Sequence, residues 1–467
     1  MASIVRLAPE LILSISKYLS VTEAVLFLSC CRYLHSITEN RHFWLNLAQY
    51  MWSRYNIPHS TCDLSAASTL ELRRTVARPY RFQRAIIKKN LTRRSPVKLE
   101  RPNTGLKWIG FGCMEAILIP GGRWLVTLSE GYGNDEPMSA VVVYDIRMPA
   151  EKNFAVVAHS FLHLEQASYS SITVAPDPAG LGFMVFVQII HVNPVNKFSL
   201  VAYKLDPLQP ATLALERVAS LEMLDQPAYI GPLRVAGTLL AHLYTEQKLF
   251  IWDWANGRYG VYQGDYNIIV LDAVLVTIEE DGALLVDNAQ PEKMIKLSWL
   301  ESPIEEHLKS TSDPLVIETP AVPMEAEFLV SDLRSSLDSR HLVISSKDWP
   351  TTAQPRSLFI SDQSHGKTLL VDIVPQVPGF VTRVHPISFV DGGDRPIFHG
   401  KTISGHVLAC DEKGGVTTLL SGGSTYQVLE RDIDRQGTST QVPFMCSVSG
   451  TFGFMGRGGQ IFVWQQK

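Results

Sequence analysis

Long apolar runs are missing from this 467-residue chain. The longest, about Gly182 to Val192, falls far short of the ~18 residues a membrane-spanning helix needs. Cysteine is scarce too: Cys30, Cys31, Cys62, Cys113, Cys410 and Cys446 form no CxxC pair. Six are too few to staple a protein of this size, so free thiols in a reducing compartment are expected. The opening MASIVRLAPELILSISKYL carries Arg6, Glu10 and Lys17 among its apolar residues, unlike the unbroken core of a signal peptide. A soluble protein of the cytoplasm, the nucleus or both is expected. Gly (31) and Pro (27) are near average, which excludes collagen-like and low-complexity chains. Apolar residues at 46% against 19% charged are enough to fill a large core, so a mainly disordered chain is excluded.

The motifs of common chemistries are missing as well. No GxSxG occurs, so the strand–turn–helix elbow of a serine hydrolase has no sequence to build it. Gly400-Lys401-Thr402 ends like a phosphate-binding loop, but Arg395 stands where the first glycine is required. Gly366-Lys367-Thr368 has Ser361 at that place, and both are expected to be turns before strands. His159 and His163 are four apart, yet Phe, Leu and His alternate around them as in a strand. The other histidines and the cysteines are scattered and suggest no zinc site. No catalytic residue, cofactor or metal is therefore expected, and an enzyme is the reading with least support.

Charge is uneven. Residues 71–107 hold twelve basic and two acidic side chains, a net +10 inside a chain of net −4. Residues 108–467 carry −15. In the basic segment Arg73, Arg74, Arg78, Arg81, Arg84, Lys88, Lys89, Arg93 and Arg94 interleave with Tyr80 and Phe82. Such a pattern suits phosphate contacts, acidic protein surface or simple solvation. Packing, solvation and acidic surface are favoured, and nucleic acid is not the expected partner. Pro79, Pro96 and Pro102 are expected to break the segment into short helices and extended pieces.

The first 55 residues read as helices. Leu11, Ile15 and Leu19 share a helical face, and Pro9 suits a first helical turn, where its missing N–H has no intrahelical partner. Ser20-Val21-Thr22-Glu23 has capping-box form. Asn40 would cap a last helix holding Phe43, Trp44, Leu47 and Trp52. These helices carry more apolar residues than one inward face can use: Leu11, Ile12, Leu13, Ile15, Leu19, Val25, Leu26, Phe27 and Leu28. So small a module buries too little surface to stand alone, and part of this excess must be covered elsewhere.

From about residue 108 short β-like runs alternate with turn signals such as Pro120-Gly121-Gly122, Pro176-Asp177-Pro178 and Asn256-Gly257. Strands ending in an apolar or aromatic residue plus Asp recur: Tyr144-Asp145, Trp252-Asp253, Val286-Asp287 and Ser361-Asp362. Relatives near Tyr203, Leu419 and Trp464 make seven. Their mean spacing, about 53 residues, is close to the ~40–50 residues of a four-stranded propeller blade. The spacing is irregular, from 34 (Asp253 to Asp287) to 75 (Asp287 to Asp362). The fold class expected is α + β multidomain, with a seven-bladed propeller after the helices; a set of β-sandwiches is the alternative.

The stretch Leu7 to Ser20, followed at matching spacing by Cys31-Arg32-Tyr33-Leu34 and Phe43-Trp44-Leu45, resembles an F-box. Ala8 stands where that family has proline, with Pro9 next, and Ser16 follows Ile15 where the family has leucine. The resemblance implies docking to the Skp adaptor, and through it to the cullin scaffold, of a ubiquitin ligase. It assigns the adaptor contact to Leu7, Pro9, Leu11, Ile15 and Leu19, with Cys31, Arg32 and Leu34 on the third helix and Trp44 locking the far end. The strands around Ile119 to Val126, Val143 to Asp145 and Lys248 to Trp254 resemble WD-repeat blades, and Gly405-His406 resembles that family's Gly-His pair. Together these imply an F-box protein of fungal type: residues 1–55 the F-box, 56–107 a basic helical linker, and 108–467 a β-propeller-like domain holding an unknown protein substrate. The alternative is a scaffold propeller, outside any ligase, whose helices serve another partner.

Overall fold

The computed structural model describes residues 7–88 apart from 17, 18 and 20, most of 108–263, and strand segments elsewhere between 92 and 465. Helices come first: α1 (Pro9–Ser16), α2 (Val21–Leu28), α3 (Arg32–Ile37), α4 (Arg41–Arg54) and α5 (Thr69–Ile87). Pro9 opens α1. Asn40 caps α4, its Oδ1 accepting from the His42 N–H at 2.9 Å. Ser20 lies outside the described residues. α4 buries Phe43, Trp44, Leu47, Ala48, Met51 and Trp52. The Trp44 indole N–H donates to the Thr38 carbonyl, and its ring meets Phe43 edge-on at 4.9 Å. Asn56 takes a left-handed φ of 47° and stops the helix, a conformation asparagine tolerates; the Ile57 N–H then reaches back to the Trp52 carbonyl at 2.9 Å.

Pro79 does not break the basic segment. It lies inside the unbroken α5, buried in a stripe with Leu72, Val76, Phe82 and Ala85. One lost backbone bond costs about 3 kcal/mol, and burying several large apolar side chains at ~1.5–3 kcal/mol each outweighs it. α5 packs on α4 and α2. Leu72 and Val76 share one core with Ala24, Leu28, Leu34 and Trp44, so α5 is a structural helix of the module and not a free connector. Pro96 and Pro102 lie outside the described residues.

The described strands group into seven sheets, mostly antiparallel meanders in chain order. The first contains Trp108–Leu118, Trp124–Gly133, Glu136–Asp145 and Ala155–His163; the second Tyr169–Pro176, Phe183–His191, Lys197–Leu205 and Glu216–Met223. The third has Arg234–Ala236, Leu239–Thr245, Lys248–Asp253 and Arg258–Gln263, and the fourth is built on Gly282–Leu284 and Met294–Lys296. The fifth holds His341–Ser345, Arg356–Asp362, Lys367–Pro375 and Phe380–Ile387; the sixth Pro396–Lys401, Val407–Asp411, Val416–Leu419 and Thr425–Leu429. The last sheet is Val442–Cys446, Thr451–Met455 and Gln460–Gln465, completed from the other end of the chain. Thr92–Arg93 and Val97–Lys98 both pair with Gln460–Gln465, with Arg93 opposite Trp464 and Val97 opposite Ile461.

Alternation along the strands explains the stacking. Ala140, Val142 and Tyr144 face the core shared with the helices and with Phe444 and Cys446 of the last sheet. Their neighbours Val141 and Val143 face the second sheet's Phe183, Val185 and Val187. Met184, Phe186 and Ile190 look the other way, to Leu240, Phe250 and Trp252 of the third sheet. Both faces of the first two sheets are therefore covered, which is why Phe183 to Ile190 are buried at every position, Gln188 included. A two-layer sandwich would leave one face of each sheet wet.

The recurring strand ends fall in register with this pattern. Tyr144-Asp145, Tyr203, Trp252-Asp253, Leu419 and Trp464 all sit on the third strand of their sheets. Ser361-Asp362 ends the second strand of the fifth meander, and Asp287 lies outside the described residues. Asp253 secures the turn it precedes, its carboxylate accepting from the Asn256 side-chain amide at 2.8 Å. Gly400 and Lys401 are part of the strand Pro396–Lys401, not of a turn before it; a register shift after Phe398 leaves room for the glycine. His159 and His163 lie on a strand, as their alternation predicts.

Two predictions test this packing. Gly122 has φ +68° and a Cβ there would lie 2.2 Å from Ser449 Oγ, whereas Gly237 (φ +58°) has open space. Gly237→Ala should cost about 1–2 kcal/mol, the left-handed penalty alone. Gly122→Ala should cost clearly more by denaturant titration, because backbone or Ser449 must also move. His242 is fully buried, stacks on Phe198 at 4.8 Å, and has no hydrogen-bond partner at either ring nitrogen among the described residues. Burial lowers its pKa to about 3, so the native state holds it neutral. The unfolded chain takes up the proton below about pH 6.5, so stability falls as the pH drops from there toward 3. His242→Phe should remove about 2 kcal/mol of the stability lost between pH 7 and pH 5, read from paired denaturant titrations.

Candidate functional site

The helical module presents an apolar surface that its own core does not use. On α1, Ile12 and Ser16 turn inward while Leu11 (54%) and Ile15 (38%) are exposed on the other side. The buried Ser16 hydroxyl donates to the Leu13 carbonyl at 2.7 Å, so its polarity is met inside the helix. On α2, Ala24 and Leu28 enter the core and Val25 (37%) and Leu26 (62%) point out. On α3, Leu34 and Ile37 are buried and Tyr33 is exposed, its hydroxyl donating to the Leu7 carbonyl at 2.9 Å. That bond ties the chain before α1 to α3.

The residues assigned by resemblance separate accordingly. Pro9, Leu11, Ile15 and Arg32 are exposed. Leu7, Leu19 and Cys31 are half-buried against the module's core. Leu34 is inside that core at 2% exposure, out of reach of a partner while the bundle is closed. Val25, Leu26 and Tyr33 complete the outward face without having been assigned to it. For Val25 and Leu26 the signal is the run Ala24 to Leu28: five consecutive apolar residues on a helix cannot all point inward.

The module is fixed to the sheets at one turn. Between the first two strands of the first sheet, Gly121 (φ +93°) and Gly122 bring the backbone against Thr61 and Ser449. Arg123 follows. Its Nε donates to Asp145 Oδ2 at 2.9 Å, its Nη1 to the Ser60 carbonyl at 2.7 Å, and its guanidinium lies 3.9 Å over the Trp124 ring. The loop between α4 and α5 is held in turn by Arg41, which donates to the carbonyls of Leu64, Ser65 and Ala67. A capping box starts α5: the Glu71 carboxylate accepts from the Ser68 N–H at 2.8 Å and hydroxyl at 2.7 Å. Those bonds, the hydroxyl first, hold the Glu71 carboxyl below its ordinary pKa. The sequence signal for this cap is the Ser-x-x-Glu spacing of Ser68 and Glu71.

α5 turns its cations outward. Arg73, Arg74, Arg78, Arg81, Arg84 and Lys88 are exposed, while Phe82 is buried and Tyr80 packs partly against the core. Among the described residues no three His, Cys, Asp or Glu side chains converge as a metal site would need. No helix among them is long and apolar enough to cross a membrane.

No family model matches the chain, and no curated protein matches it. Solved structures do. Sqt1 from Chaetomium thermophilum is 12% identical, with 77% of this chain and 97% of that one covered at a TM-score of 0.38. YCF48 from Cyanidioschyzon merolae is 9% identical over 80% and 99%, at 0.35. The WD40 domain of SCAP from fission yeast is 8% identical over 81% and 95%, at 0.32. The reading of the β region rests on the pairing and burial described above.

Inward and outward positions should behave differently. Leu34→Ala should cost about 2–5 kcal/mol, the usual loss for a truncated core leucine. Leu26→Ala, at a side chain 62% exposed, should stay within about 0.5 kcal/mol of the parent in the same denaturant titration.

Proposed function

We propose that this protein is the substrate receptor of a Skp–cullin–F-box ubiquitin ligase. The helical module docks the adaptor, and the β region holds a protein target. The observation that carries this reading is the outward apolar set Leu11, Ile15, Val25 and Leu26, on helices whose own core is already closed. Such a surface gains by being covered, at roughly 25 cal/mol for each Å² removed from water. The order of F-box-like residues from Leu7 to Leu45 supports the adaptor as what covers it.

For the β region we propose a ring of blades. Support comes from the first two sheets, buried on both faces, and from the pairing of Thr92–Arg93 and Val97–Lys98 with the last strand, the join a closed ring uses. The receptor would make and break no bonds. Holding a target beside a ubiquitin-charged enzyme raises the local concentration of the reactants, and that is its whole contribution to rate.

A second reading has its own observation. The helices share one core with the first and last sheets, so the module has a structural role whether or not a partner binds, as a capped scaffold would. Co-purification with the adaptor separates the two. With Leu11 and Ile15 both changed to Asp, adaptor binding should drop at least 100-fold while thermal unfolding of the full chain stays put, since both side chains are exposed. A folded parent protein that forms no complex at micromolar adaptor selects the scaffold; full binding by the double variant refutes this docking face.

A further inference from the structure

From the exposed face of α5 we infer that this protein has a second, independent binding surface, one that holds the phosphate backbone of duplex nucleic acid without reading its sequence. At 3.6 residues per turn, Arg73, Arg74, Arg78, Arg81, Arg84 and Lys88 fall within about 140° of helix arc and along ~22 Å of its length. All six are exposed. No acidic residue lies within the arc; Glu71, at its edge in the first turn, is already bonded to Ser68. Six more basic residues follow between 89 and 107.

The character of this face selects its occupant. Protein interfaces centre on apolar or aromatic anchors, with arginine beside them and lysine, glutamate and aspartate depleted. Here the only uncharged side chains in the arc are Ala77, Ala85 and, at its amino-terminal end, the exposed Leu70. The apolar outward face of α1 and α2 has the opposite composition and suits a protein. A strongly cationic strip with Leu70 as its one large apolar side chain suits phosphates, and arginine's planar fork grips them in pairs. Single strands are disfavoured because they need stacking platforms: Phe82 is inside the core and Tyr80 is half-covered by it. The duplex backbone is what remains, and the inference is independent of the ligase reading.

The test is fluorescence anisotropy of the full chain with a labelled mixed-sequence duplex of about 24 base pairs, titrated at several salt concentrations. With about five phosphates engaged, log affinity should fall against log salt with a slope near −4.5, and a scrambled duplex should bind equally well. Changing Arg74, Arg81 and Arg84 to Glu should weaken binding at least 50-fold and flatten the slope by about 2.7. If that variant fails to fold, Arg74→Gln, Arg81→Gln and Arg84→Gln together serve in its place. Absence of binding at low salt overturns the inference. So does unchanged affinity in a folded variant, or tighter binding of an equally charged poly-glutamate peptide, which would make the strip a site for acidic protein.

Discussion

Everything else in the molecule is arranged around one close approach of backbone to side chain. At Gly121 and Gly122 the first hairpin of the β region comes so near to Thr61 and Ser449 that no Cβ fits at either position. Three parts of the chain, far apart in sequence, meet there: the loop after α4, the first sheet and the last sheet. Arg123 adds directed bonds to the same spot, one to Asp145 within the sheet and one to Ser60 outside it. The left-handed φ of both glycines and the crowding act together. A glycine tolerates the conformation, and its missing side chain permits the contact.

That junction sets which surfaces are free. Because the helices give Leu34, Trp44, Leu72 and Val76 to a core shared with the sheets, the module cannot present those residues to anything else. What is left outside differs in chemistry. On α1 and α2 Leu11, Ile15, Val25 and Leu26 are exposed, and the outer side of α5 is cationic. One helix bundle thus offers two faces of different composition, joined through a shared core to the first and last sheets.

The stacked sheets follow a simple alternation carried to an unusual extent. In the first and second sheets, residues of both parities are apolar, so each strand feeds two cores at once. His242 sits in such a two-sided setting with its ring against Phe198 and no polar partner at its nitrogens among the described residues. It is retained as a neutral aromatic, and acid is the condition that reveals the cost of keeping it so.

Local signals were enough for the helices, their caps at Pro9 and Asn40, the turns at Pro120-Gly121-Gly122 and Asn256-Gly257, and the third-strand repeat. Each is written in a few neighbouring residues through backbone preference or period. The excess of apolar residues between Leu11 and Leu28 was equally plain, because a helix has only one inward side. Which of them point out was not, since rotation of a helix about its axis is fixed by what it packs against. The same limit explains Pro79: its local cost is readable, but the buried stripe that outweighs it exists only once α4 and α2 are in place. Leu34 was placed on a partner-facing helix and turned out to be inside for the same reason. The pairing of Thr92–Arg93 and Val97–Lys98 with the last strand, and the meeting of Gly122 with Ser449, join positions more than three hundred residues apart. No local pattern encodes such a contact; it is decided by the summed packing of every sheet between its ends.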